Sequence, residues 1–377
     1  MKVLFTITYY HPYVSGLTIA ASRFAEGLAG EGNQVTVLTM QHDPRLAETE
    51  TIRRVRIVRT PWQFKFSKGF FSFSWLIQSW RLVQTHDVIV VNLPQFEGVV
   101  PAILAKFMGK KIIVLYHCEV VLPEGFMNSV IQSLLEVSNM VTLGVSDRVV
   151  TYTSDYARSS MLLRHVRGKL TYIVPPIPKL RVNRILMGRL RKKIGAADTV
   201  IGLSARLAAE KGIEHLFAAI PKLQARIPDR QFKIVLAGPM EPVGETLYKE
   251  KIMKLVKQYA RRVIFLGEIS PQDMGSFYRL LDVLVLPSIN RTEAFGMVQV
   301  EAMLMGVPVV ASDLPGVRVP VIKIGMGIVV PPEDPGALAR AITIVLTHKA
   351  DYMKDVPAVQ KYFSQEKSIQ KFATLLI

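Results

Sequence analysis

An α/β architecture with parallel sheets, repeated in two similar halves, is the fold class that the sequence predicts. Short apolar runs alternate with amphipathic stretches, the scheme restarts past the middle of the chain, and the proline-rich segment IVPPIPKLRVN separates the two series. At 377 residues the chain also exceeds the roughly 250 to 300 residues at which one core stops growing, so two domains are expected. Two facing α/β domains would create a cleft, and ligands of such sheets bind beyond the carboxyl ends of the strands.

The strands of the first half are KVLFTIT, QVTVLTM, VRIVRT, DVIVVN and KIIVLYH, each a run of β-branched and other apolar residues of strand length. SRFAEGLAGEG and VVPAILAKFMG between them carry helical spacing. In the second half the strands are TVIGLSA, FKIVLAG, VIFLG, DVLVLP, VPVVAS and GIVVPP. They alternate with the helical stretches EHLFAAIPKLQARI, LYKEKIMKLVKQYA, DMGSFYRLL and GALARAITIVLTH.

Composition narrows the function classes. The single cysteine, Cys118, excludes an internal disulfide framework and a cysteine-built zinc cluster, and fits a reducing cytoplasm. The longest uncharged apolar stretch, GFFSFSWLIQSW, falls short of the ~20 residues a spanning helix needs, and the opening MKVLFTITYYHP runs straight into a strand pattern. The expected location is therefore cytoplasmic, with peripheral attachment to the inner face of the cell membrane as an option. Of the net charge of +17, residues 1–200 carry +12 and residues 201–377 carry +5. Arg158 to Lys193 holds eleven basic residues and no acidic one. Such polarity favours anionic partners, although a solvated basic face would look the same.

The chemistry-bearing stretch is EAFGMVQVEAM, residues 293–303. With DVLVLP as a strand and a helix starting near Phe295 or Gly296, Glu293 falls in the loop at the strand's carboxyl end and Glu301 about two turns into the helix. On an unbroken helix the two carboxylates stand about 80° apart, so a paired acid/base dyad is unattractive. Free N–H groups around Gly296 and Met297 suit a diphosphate, and the glutamates suit sugar hydroxyls. An acid near a helix start plus one surface glutamate is the plainer alternative. TVIGLSARLAAEKGIEHLF adds Arg206 and Lys211 in the loop after the first strand of the second half. Two cations there could neutralise a diphosphate, or be ordinary loop charges with Glu210 as partner of Lys211.

Together, GLSARLAAEKG, LAGP, VIFLGEISPQDMGSFYRLLDVLVLPS, EAFGMVQVEAMLMGVPVVASDLPGV and GIVVPPEDPGALARAI resemble, in order, the retaining nucleotide-sugar glycosyltransferases of family 4, which have the GT-B fold of two facing Rossmann-like domains around a deep cleft. The resemblance implies that Arg206 and Lys211 bind the donor diphosphate, Glu301 the nucleotide ribose and Glu293 the transferred sugar. Phe295, Gly296, Met297 and Val298 would contact sugar and phosphates, with the loop 267–270, including Ile269, along the base and Gly238 nearby. It divides the chain into an acceptor-binding domain over 1–175, with a helix over 362–377 packing back on it, and a nucleotide-sugar domain over 176–361. The family's Gly-Gly loop after the first strand is reduced here to Ser15-Gly16, leaving Gly16 as the phosphate-approaching glycine. His117, ending KIIVLYH, resembles the family histidine that reaches the donor sugar; a structural histidine at a strand end is the alternative. Val319 stands where the family commonly has an acid, which would weaken donor binding.

The implied reaction is attack of an acceptor hydroxyl on the anomeric carbon of a UDP- or GDP-hexose, by front-side displacement with retention. His117, Glu293, Arg206 and Lys211 are the candidate catalytic residues. No D-x-D occurs in the sequence, so a carboxylate pair holding a divalent metal is not indicated and no tightly bound cofactor is expected. Residues 62–80 contain all three tryptophans and five phenylalanines beside Lys65 and Lys68, which suits a bilayer interface as well as it suits a packed core. With the basic first half, this favours a lipid or lipid-linked glycan acceptor at an anionic membrane surface. A soluble polysaccharide or small-molecule acceptor and a sugar-nucleotide epimerase remain alternatives. A dinucleotide oxidoreductase would need G-x-G-x-x-G after a strand, absent from the first strand of either half. A nucleic-acid-binding protein would explain the charge, but the basic run contains one aromatic, Tyr172, and no known module, so no nucleic acid is expected.

Overall fold

Strands that are apolar on both faces form parallel sheets only where helices cover both sides, and the runs noted above do this twice. The computed structural model describes residues 1–66, 69–122, 125–240 and 245–377. Its two units are Met1–Pro176 with Ser364–Ile377, and Ile177–Phe363.

The first unit contains β1 (Lys2–Thr6), β2 (Gln34–Met40), β3 (Thr49–Ile52), β4 (Val55–Thr60), a small hairpin of β5 (Phe64–Phe66) and β6 (Gly69–Phe71), then β7 (Val88–Leu93), β8 (Lys111–Tyr116), β9 (Arg148–Thr151) and β10 (Leu170–Tyr172). The eight-stranded sheet runs β10-β9-β8-β7-β1-β2-β4-β3, parallel except for β3. The chain winds one way from β1 and the other way from β7, so the order reverses between these two neighbours. The helix Gly16–Gly30 starts at a capping box, in which Ser15 Oγ accepts from the Thr18 N–H at 3.2 Å and Thr18 Oγ1 from the Ser15 N–H at 2.8 Å. It packs on the helix Gln365–Ala373, whose Phe372 is fully buried among Phe5 and Phe24.

The second unit contains β11 (Thr199–Ser204), β12 (Phe232–Ala237), β13 (Val263–Gly267), β14 (Val283–Leu286), β15 (Val309–Ser312) and β16 (Gly327–Val330), in one parallel sheet ordered β13-β12-β11-β14-β15-β16. Its order reverses between β11 and β14. The stretch EHLFAAIPKLQARI, expected as one helix, is two, Ile213–Ala218 and Ile220–Arg226. Pro221 explains the break: it lacks the N–H an uninterrupted helix would use and is tolerated only in a first turn. The aromatic stretch 62–80 divides by residue: Trp75 is buried with its Nε1 donating to the Glu97 carbonyl at 3.0 Å, whereas Phe64, Phe73 and Trp80 are 69%, 57% and 51% exposed. Lys68 lies outside the described residues.

Candidate functional site

In open α/β sheets the crevice for a ligand lies beyond the carboxyl ends of the strands where the order reverses. In the second unit that point is flanked by the loop after β11, which carries Arg206 and Lys211, and the loop after β14, which carries Glu293 and Gly296. Residues some eighty positions apart in sequence are thereby brought together. Lys211 Nζ donates to Glu293 Oε2 at 2.7 Å, with both side chains less than one-fifth exposed. Arg206 is paired with Glu210 in the same loop. Glu210, considered as a partner for Lys211, serves Arg206 instead, and Lys211 takes Glu293.

Two close backbone approaches hold these loops. Gly212 sits at φ +58°, where a Cβ would lie 2.2 Å from the Pro287 carbonyl oxygen, and the Ile289 N–H donates to the Glu210 carbonyl at 3.0 Å. Gly238, the residue after β12, sits where a Cβ would lie 2.1 Å from the Ala205 carbonyl oxygen. Ile269 is half-buried in the loop following β13. The loops after β11, β12, β13 and β14 thus lie along one edge of one sheet.

The helix from the EAFGMVQVEAM stretch spans Met297–Leu304, with Gly296 as a left-handed N-cap at φ +73°. A Cβ there would meet Leu286 Cδ2 at 2.4 Å, so glycine is needed for both conformation and space. The Gly296 N–H is not open to a ligand in this state: it donates to Glu293 Oε1 at 2.9 Å. One carboxylate therefore bridges the lysine and the helix start, as an acid three residues before an amide readily does. Phe295 is buried and Val298 half-buried. Gln299 fastens the turn, its Nε2 donating to the carbonyls of Phe295 at 2.5 Å and Val317 at 2.8 Å. Glu301 is buried in the second turn and accepts from the Tyr278 hydroxyl at 2.9 Å. Val319 is half-buried in the first turn of the helix Arg318–Ile324.

The first unit holds the other candidates. Gly16 is exposed at the first position of its helix. His117 follows β8 and is buried, with Nε2 2.8 Å from Asn92 Oδ1 and Nδ1 2.5 Å from the Tyr152 hydroxyl. Since the Asn92 amide nitrogen donates to the Thr6 carbonyl at 3.0 Å, its oxygen faces the ring. Nε2 then carries the proton and Nδ1 accepts from Tyr152. Burial lowers the His117 pKa to about 3, so the ring is neutral at ordinary pH. The Thr6 hydroxyl donates to Gln95 Oε1 at 3.3 Å. Glu97 lies beside this network, buried, with burial pushing its carboxyl pKa upward. Asn92, Tyr152 and Tyr278 escaped the sequence reading. Their shared signal is a polar side chain at or just after an apolar strand, or on a helix leading into one, and it is weak. Among the described residues no group of three or more His, Cys, Asp or Glu side chains is arranged to hold a metal.

Two family models match the chain: residues 189–361 match "Glycosyl transferases group 1" and residues 14–179 match "Glycosyltransferase Family 4". A D-inositol 3-phosphate glycosyltransferase of Corynebacterium diphtheriae is 34% identical over 149 residues, 39% of this chain and 34% of the relative. A GDP-mannose-dependent alpha-(1-6)-phosphatidylinositol monomannoside mannosyltransferase of Mycolicibacterium smegmatis is 30% identical over 217 residues, 53% of each protein. The matches thus span between a third and about half of these relatives' lengths. Among solved structures, a sucrose-phosphate synthase from Thermosynechococcus elongatus superposes with a TM-score of 0.77 at 23% identity, covering 99% of this chain and 98% of that one. The Anabaena protein Alr3699/HepE, solved in complex with UDP-glucose, gives 0.75 at 19% identity, covering 100% and 99%. At such identities these two likenesses speak for the fold.

Proposed function

Because the chain belongs to the family 4 glycosyltransferases of GT-B fold, we propose that it moves a hexosyl group, with retention, from a nucleoside-diphosphate sugar to a hydroxyl of a lipid or lipid-linked glycan. The observation that carries this reading is the convergence of Arg206, Lys211, Glu293 and the Gly296 turn at the point where the second sheet reverses its strand order. On this reading the two cations hold the donor diphosphate and offset the charge that develops as it departs. Glu293 turns from Lys211 and the Gly296 amide toward the sugar hydroxyls, which frees both for phosphate. Glu301, held by Tyr278, takes the ribose, with Ile269 and Gly238 bordering the base. Protein cations supply the charge stabilisation, so donor binding should survive a chelator.

Similarity to a GDP-mannose-dependent enzyme supports a nucleotide-sugar donor, and its phosphatidylinositol-linked acceptor supports a lipid one. The exposed Phe64, Phe73 and Trp80 of the first unit support approach to a membrane, where amphipathic rings settle at headgroup depth. A small phosphorylated polyol is the second acceptor reading, supported by similarity to the inositol-phosphate enzyme. A thermal-shift screen of UDP-, GDP- and ADP-sugars, followed by product separation with lipid and inositol phosphate acceptors, tests both. Stabilisation by no nucleotide sugar would refute the reading.

A further inference from the structure

Resting on the reading that the acceptor lies at a membrane, we propose that the helix Phe126–Val145 and the basic pocket at its C-terminal end form a docking site for a bilayer rich in anionic phospholipid. Toward its C-terminal end the helix turns polar residues inward, while Ser129, Ser133 and Glu136 are exposed along one side of its outer face. Ser138, Asn139 and Thr142 are buried, with Ser138 Oγ donating to the Phe96 carbonyl at 2.6 Å and Asn139 Oδ1 accepting from the Gln95 N–H at 3.4 Å. Outward it presents Phe126, Val130, Leu134, Val137 and Val141, 84%, 40%, 55%, 62% and 40% exposed. Steps of three and four residues put these on one stripe about 22 Å long. Glu136 is the one charged residue of the helix. A soluble surface helix ordinarily buries such an apolar stripe.

Beyond its last turn lies a pocket lined by Lys106, Lys111, Arg148, Lys169 and Asp147. Lys169 donates to the Leu143 and Gly144 carbonyls at 3.3 and 2.7 Å, closing the helix end, and Asp147 accepts from the Ile112 N–H at 2.8 Å. Lys106, Lys111 and Arg148 are in no ion pair among the described residues. Lys111 opens β8 and Arg148 opens β9, so this charge sits at the amino edge of the sheet, opposite the edge that carries His117. The helix Val99–Phe107, packed against Phe126–Val145, ends on Phe107, which is 86% exposed. A protein partner would account for the stripe and leave the cations idle. An anionic bilayer engages both, with the stripe at the acyl boundary and the cations at phosphate depth.

The test is flotation of the full chain, without donor, on phosphatidylcholine vesicles with and without phosphatidylglycerol. Leu134→Ser with Val137→Ser should lower binding roughly tenfold or more. Lys106→Glu with Lys111→Glu and Arg148→Glu should lower it on the order of a hundredfold, on anionic vesicles only. Both variants should keep any thermal shift given by nucleotide sugar. Parent-like binding by both variants, or equal binding of the parent to neutral and anionic vesicles, would overturn the proposal. So would a loss of self-association in the stripe variant with unchanged flotation, which would assign the face to a second copy. A chain that floats and transfers nothing refutes the proposed reaction and leaves the docking site; one that transfers to lipid without floating refutes only the docking site.

Discussion

The two units reverse their strand order at corresponding places, between β1 and β7 in one and between β11 and β14 in the other, yet they put opposite chemistry there. In the second unit the reversal is flanked by full charges, Arg206, Lys211, Glu210 and Glu293, paired and partly open to solvent. Near the reversal in the first unit, a run of neutral hydrogen bonds links Gln95, Thr6, Asn92, His117 and Tyr152 across neighbouring strands, almost wholly buried. A paired charge in a half-open loop can change partners at modest cost, whereas a buried neutral network is fixed by the penalty for leaving any member unpaired. One topology thus yields one adjustable site and one rigid one.

Substitutions on each side test that contrast. Arg206→Ala should have the largest effect, slowing transfer by about 10² to 10³ in kcat while the melting temperature barely moves; near-normal turnover would refute the diphosphate assignment. His117→Ala should do the reverse, lowering unfolding free energy by about 2 to 4 kcal/mol in urea titrations, because Asn92 Oδ1 and the Tyr152 hydroxyl lose a buried partner. A pH effect follows. The folded-state pKa of about 3 lies below the ordinary 6.5, so the unfolded chain binds the extra proton first. This contribution is full above pH 6.5 and is lost as the pH falls from there toward 3. The acid-side decline should be shallower in His117→Gln. Gly296→Ala should cost about 1 to 3 kcal/mol of stability and weaken donor binding, since φ +73° and the Leu286 contact both oppose a Cβ. Glu301→Ala should be mildest, raising the donor dissociation constant about tenfold in calorimetric titrations with little change in kcat.

The fold was legible where burial is two-sided. VLF, VIVV and KIIVLY announce central strands because no face of them meets water. TETI, β3, gave no such signal: it is an antiparallel edge strand with exposed and half-buried positions. The helix Phe126–Val145 was hidden for another reason, since it exposes Phe126, Leu134 and Val137 and buries Ser138, Asn139 and Thr142. At the candidate site the charged residues could be named from sequence, but their partners could not. Glu210 adjoins Lys211 in the chain, yet the pair that forms is Lys211 with Glu293, decided by β11 and β14 being neighbours in the sheet. Hydrogen bonds such as that of Tyr278 to Glu301 depend on helix packing that no local pattern encodes.

The first unit is assembled from two separated pieces of chain, and the later piece supplies Ile369, Phe372 and Leu376 to its core. On a ribosome these residues emerge only after all of Ile177–Phe363 has been made, a delay of roughly 10 to 40 s at ordinary elongation rates. Until then Phe5 and Phe24 lack their Phe372 neighbour and Gly27 has no Ile369 against it. The usual vectorial order is therefore inverted: the unit translated first closes last, its apolar core incomplete throughout synthesis of the second.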